Sequence, residues 1–192
     1  MFEQGLSPLR AAWFGMLLLL AVCPIPTAQA RGIDLQSLSS RIDEGRFIID
    51  AVLDVRLTDN TREALENGVT LQFELETRLL RPRRFWWNRE LLHETRRFLL
   101  SRHALADGYL LSEADTDQQQ AYKRLEDALQ ALGTLEGYVA GEVDDEQPSR
   151  QYHGRLRLRL DIEALPAPLR PIAYVSPSWR VSSGWYEWIF AR

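Results

Sequence analysis

The segment from Arg81 to Arg89 has the most unusual local composition in the chain and the clearest chemical potential. Its sequence RPRRFWWNR interleaves four arginines with three aromatic residues. Guanidinium groups bind carboxylates and phosphates through paired hydrogen bonds and stack on aromatic rings. The segment therefore indicates an interaction surface for an anionic lipid headgroup, a glycan or an acidic protein face. The alternative is a strand edge with solvated arginines and one tryptophan capping the core. The candidate surface comprises Arg81, Arg83, Arg84, Trp86, Trp87 and Arg89.

A second arginine group alternates with leucines between residues 155 and 160. A period of two places Arg155, Arg157 and Arg159 on one face of a strand. They either bind an external anion or pair with Glu74 and Glu76, which share the outer face of their own strand. Opposite charges on adjacent strands contribute about 0.2–1 kcal/mol per pair. Pairing is favoured, and it predicts that the two strands are neighbours.

The other reactive side chains do not form a recognisable site. His93, His103 and His153 lack metal-ligand spacing, and Asp50 and Asp54 share a strand face without a third ligand. No nucleophile elbow, glycine-rich phosphate loop or His-Glu-x-x-His motif occurs. The sequence therefore predicts no catalytic residue, no metal site and no cofactor. An enzyme of unknown class stays an alternative, and it would require His103 or His153 to converge with a carboxylate.

The aromatic group Trp185, Tyr186 and Trp188 near the end of the chain has two interpretations. It is either a platform on which sugars stack or a last strand whose aromatic rings lock onto the core. Period-two aromatics near a chain end favour the second.

These side chains require strands to position them, and the pattern predicts several. Apolar and polar residues alternate over 47–57, 69–79 and 155–162, and 95–103 with 108–112 indicates a hairpin. Further strands are expected near 135–143 and, as two short ones, over 179–190. One-sided strands of this kind are typical of antiparallel sheets.

Two helices are expected. Thr58 and Gly68 bracket a short helix at about 59–67, and a capping box at Thr116 and Gln119 predicts a long amphipathic helix at about 117–132. Alternating prolines predict an extended connector over 165–171. The fold class is mainly β, an antiparallel β-sandwich with these two helices. Residues 46–192 form a single globular domain, preceded by a loosely attached lead-in at 31–45.

The first 30 residues have the order of a secretory signal peptide. Arg10 precedes a 13-residue apolar run from Ala11 to Cys23, and Ala28 and Ala30 fit the cleavage rule. We expect cleavage near Ala30 and a periplasmic location. Lipidation at Cys23 and retention as a membrane anchor are the alternatives.

Cleavage would remove the only cysteine of the chain, Cys23. Disulfide scaffolds, thiol nucleophiles and cysteine-based zinc sites are then excluded for the mature domain. The net charge of −4, with both signs mixed along the chain, argues against nucleic acid as a partner.

Several spaced motifs together resemble a known family. They are NGV at 67–69, RRFWW at 83–87, RLRLD at 157–161, LPAPL at 165–169 and WYEW at 185–188. The chain looks like a proteobacterial periplasmic family of unknown function, sometimes labelled a proline-rich signal-peptide protein. The resemblance implies genes that lie beside those of nitrogen-regulation-type sensor kinases, and hence such a kinase as a partner. It implies no activity for any residue.

The leading hypothesis is a non-enzymatic binding or accessory domain that contacts an envelope membrane protein through 81–87. A carrier or sensor of a small lipid or glycan ligand, held in an apolar cavity between the sheets, is the alternative. The oligomeric state does not follow from the sequence.

Overall fold

Two antiparallel sheets face each other in the computed structural model, which describes residues 32–83, 88–103, 107–116, 118–144 and 151–191. The first sheet has the order β1-β2-β7, with β1 Ile33–Asp43, β2 Arg46–Val55 and β7 Thr134–Glu142. The second has the order β6-β5-β4-β3-β8-β9, with β3 Leu71–Arg81, β4 Arg89–His103, β5 Gly108–Glu113, β6 Gln119–Tyr122, β8 Tyr152–Leu160 and β9 Tyr186–Phe190. The predicted mainly-β, sandwich-like fold is confirmed.

Aromatic side chains of β9 join the two sheets. The Tyr186 hydroxyl accepts a hydrogen bond from the backbone N–H of Leu35 at 2.9 Å, and Trp188 Nε1 donates to Ser40 Oγ at 2.8 Å. The Phe190 ring stacks on Phe47 of β2 at 5.6 Å between centroids. These rings therefore lock the last strand onto the core. Within the described part of the chain, the buried apolar residues run from Ile33 to Val181.

The short helix α1 spans Asp59–Glu66, as predicted. Thr58 Oγ1 accepts a hydrogen bond from the N–H of Thr61, satisfying one free donor of the first turn. Gly68 has φ +85°, a left-handed conformation that glycine adopts readily after a helix end.

The prediction of a long helix at about 117–132 is wrong. Residues 119–122 form β6, which pairs with the edge of β5, and the helix α2 spans only Leu125–Gly133. Thr116 Oγ1 accepts a hydrogen bond from the N–H of Gln118 instead of capping a helix. The unpaired edge of β5 provides backbone hydrogen-bond partners for the glutamines of β6. This strand pairing outweighs their preference for a helix.

The predicted loose lead-in at 31–45 is also wrong over the length of β1, which pairs with β2 from Ile33 to Asp43. A bulge between Leu35 and Ser37 shifts the phase of the apolar alternation there and so conceals the strand in the sequence.

Two further expectations near the end of the chain are corrected. The predicted extended connector at 165–171 is a series of turns, in which Leu169 N–H bonds the carbonyl of Pro166. The helix α3 follows at Arg170–Val175 and a 3₁₀ turn at Pro177–Trp179. Only one of the two short strands expected at 179–190 forms, and it is β9.

Candidate interaction surface

The outer face of the six-stranded sheet carries paired charges on three adjacent strands, β4, β3 and β8. Glu74 of β3 lies opposite Arg97 of β4 and Arg159 of β8, while Glu76 lies opposite Arg157. The predicted neighbour relationship between β3 and β8 is therefore confirmed. We call this surface the arginine face, and it comprises Glu74, Glu76, Arg78, Thr95, Arg97, Arg155, Arg157, Arg159, Trp185 and Glu187.

Each buried carboxylate of the arginine face receives two guanidinium groups. Glu76 Oε1 accepts hydrogen bonds from Arg157 Nη2 and from Arg159 Nε, the latter at 3.0 Å. Glu74 Oε2 accepts from Arg159 Nη2, and Glu74 Oε1 lies 3.7 Å from Arg97 Nε. Burial opposes the ionisation of Glu76, but the hydrogen bonds from Arg157 and Arg159 outweigh it and hold the pKa of its carboxyl below the usual value.

The charges are layered by depth. The side chains of Glu74 and Glu76 are only 11% and 8% exposed, whereas those of Arg97 and Arg159 are 47% and 38% exposed. The long arginine stems cover the carboxylates and leave the guanidinium groups outermost. A partner that approaches the centre of this face, above Glu74 and Glu76, therefore meets cations first. At the edges the exposed carboxylates of Glu187 and Glu90 pair with Arg155 and Arg78.

Trp185 lies against three of these arginines. Its ring centroid is 4.5 Å from the guanidinium carbon of Arg157, 5.1 Å from that of Arg78 and 5.9 Å from that of Arg155, distances typical of cation–π contacts. Gly184, with φ +67°, makes the turn that places the ring there. Unlike Tyr186 and Trp188, Trp185 thus belongs to the outer surface.

The predicted interaction segment 81–89 connects β3 to β4 at one end of the arginine face. Arg81 ends β3 and is buried, and it lies opposite Arg89, the exposed first residue of β4. Arg83 is exposed. Arg84, Trp86 and Trp87 lie outside the described residues, so the structure adds nothing on them.

The candidate histidines do not converge with a metal-ligand set. His93 lies on β4 with Nδ1 4.0 Å from Glu90, while His153 lies on β8 and His103 ends β4. Among the described residues, no group of three or more histidine, cysteine, aspartate or glutamate side chains is placed to hold a metal ion.

Asp50 and Asp54, the other candidates, make local contacts. Asp50 Oδ1 accepts a hydrogen bond from the N–H of Gly137 at 2.6 Å, and its other oxygen binds Arg41. These bonds, led by that from Gly137, lower the pKa of Asp50. Asp54 pairs with Arg56 at 3.0 Å. Both aspartates therefore have structural partners on the three-stranded sheet.

Residues 163–180, here called the proline lobe, form an apolar surface segment that sequence reasoning missed. Val175, Ile172 and Tyr174 of α3 are 79%, 55% and 53% exposed. Ala173 and Trp179 are buried and fix the lobe to the core. The many prolines and apolar residues of this segment are the sequence signal from which an exposed apolar surface could have been predicted.

A cleft between the sheets is the second feature that the sequence did not reveal. It has a volume of about 200 Å³ and is lined by Arg96, Phe98, Leu111, Glu113 and Tyr138, among others. Arg96 Nη1 lies 3.3 Å from Glu113 Oε1, and the guanidinium carbon lies 4.8 Å from the ring of Tyr138. A second, open cleft of about 590 Å³ shares Phe98, Leu111 and Glu113.

The two packed antiparallel sheets and the charge-paired outer face define a mainly-β domain of the sandwich-like kind. The chain belongs to the family described as a domain of unknown function (DUF4390), whose model matches residues 30–189. The resemblance to a family of unknown function is confirmed to that extent, while proteobacterial origin and the link to sensor kinases stay predictions. Neither curated proteins nor solved structures gave a match to this chain. Of the helices in the described part of the chain, none is both long and apolar enough to cross a membrane.

Proposed function

We propose that this chain is an exported, non-enzymatic binding domain of the cell envelope, and that its arginine face contacts an acidic face of a membrane protein. The observation that carries the proposal is the layering of charge, with guanidinium groups above the buried Glu74 and Glu76. The sequence pattern of the first 30 residues supports export. A sensor kinase is the partner class that the family resemblance implies.

The composition of this face suits protein recognition. Arginine and tryptophan are enriched at protein interfaces and among the residues that contribute most to binding. Arg157 and Arg159 are held in place by Glu76 beneath them. Because these side chains are already ordered, a partner loses less conformational entropy on binding them than on binding free arginines.

Photo-crosslinking in intact cells tests the proposal. Thr95 of β4 lies opposite Glu76 on the arginine face and is uncharged, so a photoreactive residue there leaves the guanidinium layer intact. Ser39, an exposed residue of β1 opposite Asp50, is the matched position on the other sheet. We expect capture of an envelope protein from position 95 and none from position 39. Equal capture from both positions, or none from position 95, contradicts the proposal.

The cleft between the sheets favours a second candidate, a carrier or sensor of a small amphipathic ligand. Phe98 and Leu111 supply apolar walls, and Arg96 and Glu113 supply polar groups, as in many ligand sites. Native mass spectrometry of the protein extracted from cells would detect a bound molecule. Leu111→Trp, which fills both clefts, should abolish that signal, and its persistence would count against the cleft.

A further inference from the structure

The proline lobe exposes apolar side chains on a segment that is firmly attached to the domain. Ile172, Tyr174 and Val175 are more than half exposed, while Leu165, Ala173 and Trp179 are at most 4% exposed. Asn60 Nδ2 of α1 also donates to Ser178 Oγ at 2.7 Å. The exposure is thus a property of a fixed surface, and clustered exposed apolar residues mark interaction sites.

The point at which the N-terminal segment meets the domain lies beside this lobe. Arg56 N–H bonds the carbonyl of Gly32 at 2.6 Å, and a Cβ on Gly32 would lie 3.3 Å from Val181 Cγ1, directly after the lobe. The apolar run of the leader ends at Cys23, nine residues before Gly32, and nine residues span at most about 30 Å. A leader retained as an anchor would therefore keep Gly32, and the lobe beside it, within about 30 Å of the bilayer.

If the chain is cleaved near Ala30, its new amino terminus also begins at the end of the domain that carries the proline lobe. The new amino terminus and Arg31 would then directly precede Gly32 beside the lobe, where Arg170 and Arg180 are already exposed. Acidic groups are also present there, since Glu163 Oε1 accepts from the Tyr174 hydroxyl at 3.2 Å and α1 contributes Asp59 and Glu63. Apolar tips flanked by cations are typical of segments that bind at membrane interfaces.

We infer that the proline lobe binds the surface of a lipid bilayer, inserting Ile172, Tyr174 and Val175 at the headgroup level. Its three exposed apolar side chains lie on one short helix, an arrangement that suits contact with a lipid surface. Aromatic residues such as Tyr174 favour the interface, with the ring in the apolar region and the hydroxyl in the polar one.

This placement orients the whole domain. Asp161 N–H bonds the carbonyl of Gln72 near the start of β3, so the lobe lies at that end of the strand. The 11 residues of β3 extend about 35 Å to Arg81 at the opposite end. Arg81, and Arg89 opposite it, would therefore lie at the end of the sheet that is farther from the bilayer.

Vesicle sedimentation tests the inference with the chain beginning at Arg31, which contains every core residue of the described part of the chain. The vesicles contain phosphatidylethanolamine and phosphatidylglycerol. We expect binding by the native chain and a partition coefficient about tenfold or more lower for the variant with Ile172→Ser, Tyr174→Ser and Val175→Ser, because three apolar side chains leave the interface. Val175→Ser alone, at the most exposed of the three positions, should give a smaller decrease.

The matched control is Val52→Ser with Ile189→Ser, which changes exposed apolar residues outside the lobe. We expect this control to bind as the native chain does, and all variants to keep the native thermal unfolding transition. Absence of native binding, or equal binding by the lobe variants, overturns the inference. Crosslinks from position 175 to a protein, without vesicle binding, would assign the lobe to a protein partner and also overturn it. The crosslinking test at Thr95 is independent of this result.

Discussion

Replacing Glu76 by glutamine should destabilise the domain markedly although the two side chains have the same shape. Glu76 is 8% exposed and accepts hydrogen bonds from Arg157 and Arg159. A hydrogen bond to a charged group contributes about 1.5–3 kcal/mol. The arginines are 27% and 38% exposed and can partly rehydrate, which reduces the loss. We therefore expect the free energy of unfolding to fall by about 2 kcal/mol.

Glu187→Gln is the matched control, since Glu187 also pairs with an arginine of β8, Arg155, but is 57% exposed. An exposed ion pair contributes about 0–1 kcal/mol, so we expect a loss below about 0.5 kcal/mol. Urea denaturation at neutral pH measures both variants. The reasoning on charge layering is refuted if both losses are equal, or if Glu76→Gln changes the unfolding free energy by less than about 0.5 kcal/mol.

Three further predictions follow from the packing and charges. Gly154→Ala should lower the free energy of unfolding by about 2 kcal/mol, because the added Cβ would lie 2.3 Å from ring atoms of Trp188. Denaturant unfolding measures this loss, and a change below about 0.5 kcal/mol would contradict the prediction. Tyr138→Phe should be neutral or stabilising by up to about 1 kcal/mol in the same assay, because the buried hydroxyl of Tyr138 has no hydrogen-bond partner among the described residues; burial also raises the pKa of Tyr138 to about 12. A loss above about 1 kcal/mol would contradict this. Because the pKa of Glu76 is lowered in the folded state, its ionised form stabilises the fold above the ordinary carboxyl pKa of about 4.3, and this contribution is lost as the pH falls through the folded pKa. The denaturant midpoint of unfolding, measured between about pH 7 and pH 3, should therefore decline less steeply with acid for Glu76→Gln than for the native chain. Parallel curves for the two proteins would exclude this linkage.

The arginine face could be predicted from sequence because its chemistry repeats with the period of a strand. Arg157 and Arg159 alternate with leucines, Glu74 and Glu76 alternate with apolar residues, and opposite charges favour adjacency. That reasoning correctly made β3 and β8 neighbours. The position of the Trp185 ring on the arginine face could not be predicted from the sequence, because it depends on the turn at Gly184.

Other elements lack a periodic signal. The bulge in β1 between Leu35 and Ser37 interrupts its alternation, and β6 forms because β5 offers an open edge, a tertiary effect. The sequence predicts an extended connector over 165–171, within the proline lobe, because alternating prolines favour polyproline geometry. Turn hydrogen bonds such as that from Leu169 N–H to Pro166 fold it back instead.

Capture of detergent-solubilised membrane proteins by the leader-free domain tests the central claim most directly, because detergent removes the bilayer as a binding surface. The test variant carries Arg97→Ala and Arg155→Ala, which are 47% and 36% exposed on the arginine face and leave Arg157 and Arg159 paired with the buried carboxylates. The control carries Arg41→Ala and Arg62→Ala, which are 55% and 46% exposed on other elements. We predict that the partner crosslinked from Thr95 is captured about tenfold less by the test variant and equally by the control. Equal capture by the two variants would contradict the claim that this surface binds an acidic partner.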